Sequence, residues 1–237
     1  MDHSRYEVAP GIRLDARRAL WLAEARALAV ADLHLGYAWA HRHTGQLMPI
    51  TVPDDTAERL SALQQEYRPE QIVLLGDIVH RAVPVAPIKD ELLGLLRCFA
   101  DKVKLTMVVG NHDRDLERLV GESAQFAQHL KIANCILLHG DRDSTVAVAG
   151  AIRQAERNRD WIIMGHEHPS VTLSDGVATW EKYPCFLICD RLIVLPAFSR
   201  WAAGNSREEY MSPLLECKGV ESKIAILGDR LVPVPAE

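Results

Sequence analysis

Residues 71–80 read QIVLLGDIVH, four apolar residues running into Gly76-Asp77, with His80 three positions beyond the aspartate. A short apolar run closed by glycine reads as a strand buried on both faces, which places Asp77 at its end. Four other stretches repeat the pattern. ALAVA (27–31) leads into Asp32-Leu33-His34, and LTMVV (105–109) into Gly110-Asn111-His112-Asp113. CILL (135–138) leads into His139-Gly140-Asp141, and WIIM (161–164) into Gly165-His166-Glu167-His168. Six of the ten histidines lie in these five clusters. A polar strand end satisfied by the backbone explains any one of them, but not five in order. The ends are expected to converge on one edge of a sheet and to hold metal there.

The segments between these strands read as helices and loops. A hairpin of 19–23 and 27–31 delivers Asp32. A loop follows over 36–52, and then a helix opened by Pro53 and Asp54-Asp55, with Leu60 and Leu63 on one face. A proline-marked loop spans 81–87, and helices are expected near 88–100, 114–120 and 144–158, with strands near 126–132 and 134–138. From about residue 170, VTL, CFLIC, RLIVLP, KIAIL and RLVPV are short strand-like runs. They predict a second sheet built from hairpins and packed on the first. The fold class is therefore α/β, and residues 1–237, with no linker or repeat, are expected to form a single domain.

The donor types point to a transition metal. Asp32 and His34 are two apart, so on a continuing strand their side chains share a face; His166 and His168 repeat the spacing. Asp77 has two oxygens with which to bridge two ions, and Asn111 offers a neutral carbonyl oxygen. Nitrogen and oxygen donors without thiolate favour Mn, Fe, Zn, Co or Ni over a structural zinc.

In order, DxH, GDxxH, GNHD, a lone His and GHxH resemble the signature of the calcineurin-like metallophosphoesterases, across roughly residues 27–200. The resemblance implies a four-layer αββα sandwich of two mixed β-sheets flanked by helices, and a centre of two divalent ions, Mn first among them. It implies Asp32, His34, Asp77 and His168 as ligands of one metal. Asp77, Asn111, His139 and His166 would be ligands of the other, with Asp77 bridging. The implied reaction is hydrolysis of phosphodiester (or phosphomonoester) bonds by a metal-bridging hydroxide. His112 would protonate the leaving group or stabilise the transition state, and Asp113 would orient it, with helix N-capping as the competing role for Asp113. His80 stands where the superfamily's protein phosphatases carry Asp before Arg-Gly, which argues against phosphoprotein substrates. It is a candidate substrate contact or support for the ligands. Compact length, GHEHP and YPCFLI…LIVLPAF resemble the small bacterial and archaeal phosphoesterases of the DNA ligase-associated type. ADLHLGY and GDxxH also resemble Mre11/SbcD-type nucleases, the alternative being a DNA or RNA nuclease. A catalytically silent metal-binding scaffold is a second alternative, opposed by the intact ligand set.

The remaining signals bound the partners. Net charge is −5, with 27 Lys and Arg against 32 Asp and Glu, so no global attraction to nucleic acid is evident, and a local basic patch is compatible with it. The partner is a phosphoester substrate, a nucleotide or nucleic acid among the candidates. Apolar stretches are cut short of the ~18 residues that span a bilayer, so no membrane is expected; oligomeric state is not legible. Five cysteines with no CxxC pair fit a reducing cytoplasm. In Ser199-Arg200-Trp201, Arg200 is a candidate phosphate contact and Trp201 a candidate base or sugar contact. His41 and His43 read as a solvated loop, Asp141 and Arg142 as loop punctuation, and Met48, Trp39 and Trp21 as packing.

Overall fold

Alternate residues of a strand face opposite layers, and here that alternation sorts the interior into three cores. The computed structural model describes residues 3–46, 55–80, 86–99, 102–113, 116–174, 176–202, 204–206, 209–216 and 218–235. The first sheet begins as an antiparallel meander of β1 (Arg5–Ala9), β2 (Ile12–Asp15), β3 (Ala19–Leu22) and β4 (Ala27–Ala31). After α1 (Tyr37–His43) and α2 (Thr56–Tyr67) it continues in parallel through β5 (Gln71–Leu75), α3 (Ala86–Phe99), β6 (Lys104–Val108), α4 (Leu116–Val120) and β7 (Gln125–Ala127). Its strand order is the order of the chain, β1 to β7.

The second sheet opens with the hairpin β8 (His129–Ile132) and β9 (Cys135–Leu138). Helices α5 (Arg142–Ala147) and α6 (Ala149–Asn158) lead to β10 (Trp161–Met164), which lies parallel to β9. Then come β11 (Ser170–Ser174), β12 (Trp180–Cys189), β13 (Leu192–Val194), α7 (Pro213–Glu216), β14 (Ser222–Leu227) and β15 (Arg230–Pro235). The order is β15-β14-β12-β13-β10-β9-β8, with β11 paired to β12.

Leu28 and Val30 of β4, with Ile72 and Leu74 of β5, pack against Leu60, Leu63 and Leu92 of the helices over the first sheet. The alternate residues Ala27, Ala29, Ala31, Val73 and Leu75 meet Trp161, Ile163, Phe186 and Ile193 between the sheets. Ile162 and Met164 turn outward to Ile152 and Ala155 of α6. Helix, sheet, sheet, helix is the four-layer sandwich that the resemblance implied.

Several expectations are corrected. The strand ends do not share one sheet: β4, β5 and β6 belong to the first, β9 and β10 to the second, because CILL and WIIM pair in parallel with each other and with β13. The second sheet is therefore mixed rather than built of hairpins alone. The meander β1–β2 was not anticipated, since RYEVA alternates only weakly. The stretch expected as a loop over 36–52 begins as α1, which carries His41 and His43. The helix near 144–158 breaks at Val148 (φ −107°) into two. Pro53, Asp54, Met48, residues 81–85 and Cys217 lie outside the described residues. No helix among the described residues is long and apolar enough to cross a membrane.

Candidate metal centre

The chain turns sharply after β4, β5 and β10, and there the turning residues are the donors themselves. Asp32 (φ 54°), His34 (φ 47°), Asp77 (φ 44°), His166 (φ 69°) and His168 (φ 46°) all occupy the left-handed region. Non-glycine residues reach it rarely, Asp, Asn and His more readily than most, at a cost on the order of 1–3 kcal/mol each. The strand expected to carry Asp32 and His34 on one face in fact stops at Ala31. It is the paired left-handed residues, not strand pleating, that bring these side chains together.

Backbone bonds then lace the loops. Asp32 N donates to Gly76 O (3.2 Å), His34 N to Asp77 O (2.9 Å) and Gly76 N to Val108 O (2.8 Å), while Gly165 N donates to His139 O (3.0 Å). Asp32 Oδ2 accepts from His166 N at 2.8 Å, which ties the two sheets at the site. Two glycines make the approach feasible. A Cβ on Gly76 (φ +64°) would lie 2.1 Å from His139 Nδ1, and one on Gly165 would lie 2.6 Å from Asp32 Oδ2.

The donors fall into two groups, Asp32, His34 and His168 in one and Asp77, His139 and His166 in the other, with the donor atoms of each within 4.8 Å of one another. In the first, His34 Nε2 and His168 Nε2 are 3.1 Å apart, and Asp32 Oδ1 is 3.7 Å from His168 Nε2. In the second, His139 Nε2 stands 3.1 Å from both His166 Nδ1 and Asn111 Oδ1, and 3.5 Å from Asp77 Oδ1. Asn111 thus joins the second group. Asp32 is fully buried, and its Oδ1 has no hydrogen-bond partner in the protein. An orphaned buried carboxylate oxygen beside convergent imidazole nitrogens is costly unless a cation meets it. The donor set fits divalent first-row metals.

Electrostatics shift the donors in both directions, His34 toward the neutral ring and Asp32 toward the carboxylate, but Asp77 and His168 toward their protonated forms. Burial drives the His34 imidazole down to about 3 despite Asp32, leaving a neutral ring of the kind a metal takes. Burial, then the charge of Asp32, pushes the Asp77 carboxyl up to about 6. For Asp32 burial acts upward, but the charges of His168, His139 and His34 outweigh it and the carboxyl is lowered. His168 is the counterpart: burial acts downward, and Asp32 raises it.

His112 and Asp113 are placed differently from each other. The His112 ring is a third exposed; its Nδ1 lies 2.5 Å from His80 O and its Nε2 3.8 Å from Asp77 Oδ2. The Asp113 carboxylate is bonded to backbone groups rather than to that imidazole. Its Oδ1 accepts from Ile78 N (2.8 Å) and Val79 N (3.2 Å), and its Oδ2 from Gly110 N (2.9 Å). A buried carboxylate needs several donors, and these backbone groups supply them, so Asp113 clasps the 76–80 loop to the 110–113 loop. The expected orienting contact is therefore corrected; His112 is oriented by the carbonyl of His80. Asp141 Oδ2 accepts from Asp143 N and Ser144 N as the N-cap of α5. Arg200 pairs with Asp55 at 2.7 Å and lines cavities beside the centre rather than the one above it.

That central cavity, about 500 Å³, is lined by donors of both groups with His80, His112, Tyr37, Glu167 and Met211. Two of these escaped sequence reading. Tyr37 lies tilted against His80 (4.4 Å between ring centroids, 50°) and nearly parallel to Trp201 (6.3 Å, 11°). Glu167, buried between His166 and His168, accepts from Met211 N (2.9 Å) and Ser212 N (2.6 Å), which fixes one wall. A lone tyrosine and a glutamate between two histidines carry no signal of this kind.

A family model described as calcineurin-like phosphoesterase matches residues 25–153, more than half of the chain. Among solved structures, the nuclease MPE of Pseudomonas putida is similar in fold, with a TM-score of 0.67 and 23% identity over 97% of this chain and 98% of that one. The phosphoesterase Yfce from E. coli is 17% identical over 89% of this chain and 99% of that one, with a TM-score of 0.43, too distant to bear on the site. No curated protein matches the chain.

Proposed function

The chain belongs to the calcineurin-like phosphoesterase family, and we propose that it hydrolyses phosphodiester bonds with two divalent ions held by seven residues. As a family member it is a metal-dependent ester hydrolase. The observation that carries the finer reading is the pair of donor groups. Asp32, His34 and His168 would hold one ion and Asn111, His139 and His166 the other, with Asp77 shared. Mn is the ion we favour, with Fe, Zn, Co and Ni suited to the same donors. When bound, the ions supply Lewis-acid neutralisation of the phosphoryl oxygens and acidify a water.

The chain's own residues do the rest. A carbonyl oxygen only accepts, so the hydrogen between His112 and His80 O belongs to Nδ1. Nε2 then faces the cavity as the proton-transfer atom, donating to the departing oxygen when the ring is cationic. His112 N also donates to Asp77 Oδ1 (3.0 Å), which couples the position of this ring to the shared carboxylate. The described lining of the central cavity contains no Arg or Lys. Apart from the ions, the cavity offers a phosphate imidazoles and neutral polar groups beside the carboxylates of Glu167 and Glu209, which suits the single charge of a diester better than the double charge of a monoester.

A second reading, a nuclease, is favoured by the near-parallel rings of Tyr37 and Trp201 at the cavity's edge. Aromatic faces hold successive bases without regard to sequence. The solved structure with the same fold is named a nuclease. Chelated protein reconstituted with Mn, assayed on bis-(p-nitrophenyl) phosphate, p-nitrophenyl phosphate, 2′,3′-cyclic nucleotides and single- and double-stranded DNA, decides among these. Mn-dependent cleavage with the diester preferred supports the proposal, and a monoester preferred by tenfold or more contradicts it. Cleavage of DNA establishes the second reading.

A further inference from the structure

A smaller cavity, about 150 Å³, adjoins the candidate metal centre and shares His168 and Ala202 with the central one. Its described lining carries three cations, Arg18, Lys182 and Arg200, and no carboxylate, although Arg200 also reaches Asp55 outside it at 2.7 Å and Lys182 donates to Gly204 O. Arg18 sits in the turn between β2 and β3, far from every motif in sequence, yet its Nη1 donates to Ala197 O (3.0 Å) and Ser199 O (2.6 Å). In the same segment, Phe198 N and Ser199 N donate to the carbonyls of Ala31 and Asp32. The guanidinium therefore hangs from a segment registered on a proposed metal ligand. Burial, then Arg59 and Arg200, lower its pKa to about 10, with Asp55 alone acting the other way.

A second, independent feature points at a ligand. Ser170 is 6% exposed, lines this cavity, and its Oγ has no hydrogen-bond partner in the protein. Gly204 leaves it that room, since a Cβ there would come within 2.8 Å of the hydroxyl oxygen. Unmet buried polar atoms are kept where something hydrogen-bonds to them. A hydroxyl donor among guanidinium and ammonium groups selects an oxyanion, and arginine forks match phosphate. The volume is below the ~300–1,000 Å³ of pockets that take a drug-sized molecule, so it suits a phosphate rather than a nucleoside. A wider cavity of about 660 Å³ shares Arg18, Pro184 and Arg200, but there Arg17 is already clamped by Asp15 (2.8 and 2.7 Å) and paired with Glu66.

We propose that the cavity formed by Arg18, Ser170, Lys182 and Arg200 is a phosphate subsite that takes the phosphate neighbouring the scissile one, so that the preferred substrate is a nucleotide chain carrying at least two phosphates. The identity of that phosphate rests on the phosphodiester reading above; the anion site itself rests on the cavity.

Two measurements separate these. Calorimetric titration of inorganic phosphate into chelated protein should show binding that Arg18→Gln and Lys182→Gln each weaken at least tenfold. Lys182 lies on an exposed stretch of β12, so its variant decides the matter even if Arg18→Gln fails to fold. No binding by the parent protein, or equal binding by parent and Lys182→Gln, overturns the site. With Mn restored, thymidine trinucleotide should exceed the dinucleotide at least tenfold in kcat/KM, and Lys182→Gln should bring that ratio within about threefold of one. A parent ratio near one, with phosphate binding intact, assigns the cavity to free phosphate and overturns the neighbouring-phosphate role. If neither oligonucleotide nor bis-(p-nitrophenyl) phosphate is cleaved, the phosphodiester reading fails, while the titration still decides the anion site.

Discussion

Eleven non-glycine residues among those described hold a positive φ, and they divide between two kinds of place. Six, Arg18, Arg26, Arg68, Ala133, Arg159 and Arg191, lie in hairpin turns or just past helix ends. The other five, Asp32, His34, Asp77, His166 and His168, lie at strand ends around the candidate metal centre. The backbone cost is the same in kind, but what it secures differs. At Arg159, which closes α6, the left-handed residue only lets Arg159 N return to Glu156 O, and glycine would do as well. At Asp77 the same conformation aims a carboxylate at the His139 imidazole, 3.5 Å away, and glycine would leave nothing to aim. Strain at Arg159 is incidental to connection, whereas strain at the centre sets donor geometry.

The comparison breaks most visibly at Asp77. Asn tolerates the left-handed region, so Asp77→Asn should melt within a few degrees of the parent. Its Mn-dependent hydrolysis of bis-(p-nitrophenyl) phosphate should nevertheless fall by about 10⁴-fold through loss of the shared ligand. A variant that unfolds instead would make the Asp77 conformation a matter of stability. The next largest effect is at His112, outside both donor groups. His112→Asn should keep the parent's metal content by elemental analysis while kcat drops about 10²-fold or more. Loss of metal would place His112 among the ligands.

These two residues also mark what was legible in the sequence. The five strand-end clusters, their order and their donor chemistry were readable because each follows an apolar run that can only be a buried strand. What joins them was not. Nothing local tells that CILL and WIIM enter a different sheet from QIVLL, since parallel pairing is decided by partners far along the chain. The left-handed turn at Asp32 contradicts the face-sharing inferred from the spacing of Asp32 and His34, because strand periodicity holds only while the strand lasts. Asp113, next to His112 in sequence, accepts from Ile78 N and Val79 N of another loop instead. Arg18 reaches Ser199 across 181 positions, a contact no motif announces.

Smaller effects sharpen the account of the cores. Cys135, Cys185 and Cys189 are buried, and burial pushes their thiols up to about 12, 12 and 11. Unfolded thiols ionise near 8.5, so between about pH 8.5 and 11 the unfolded chain loses protons that the folded chain keeps. Stability from these groups is complete below about pH 8.5 and is lost as pH rises through the folded values. Thermal midpoints should decline across that window and not between pH 7 and 8. Mass-spectrometric mapping of native thiol labelling at pH 8 should find Cys98 modified and these three intact. The smallest effect belongs to the turns. Arg159→Gly removes strain but adds freedom to the unfolded chain, so urea unfolding should place it within about 1 kcal/mol of the parent, with activity retained.

Metal stoichiometry of Mn-reconstituted protein tests the two-group arrangement most directly. The account predicts two ions per chain in the parent and one in each of His34→Asn and His166→Asn, which disarm different groups. A single ion per chain in the parent, or two retained in either variant, contradicts it.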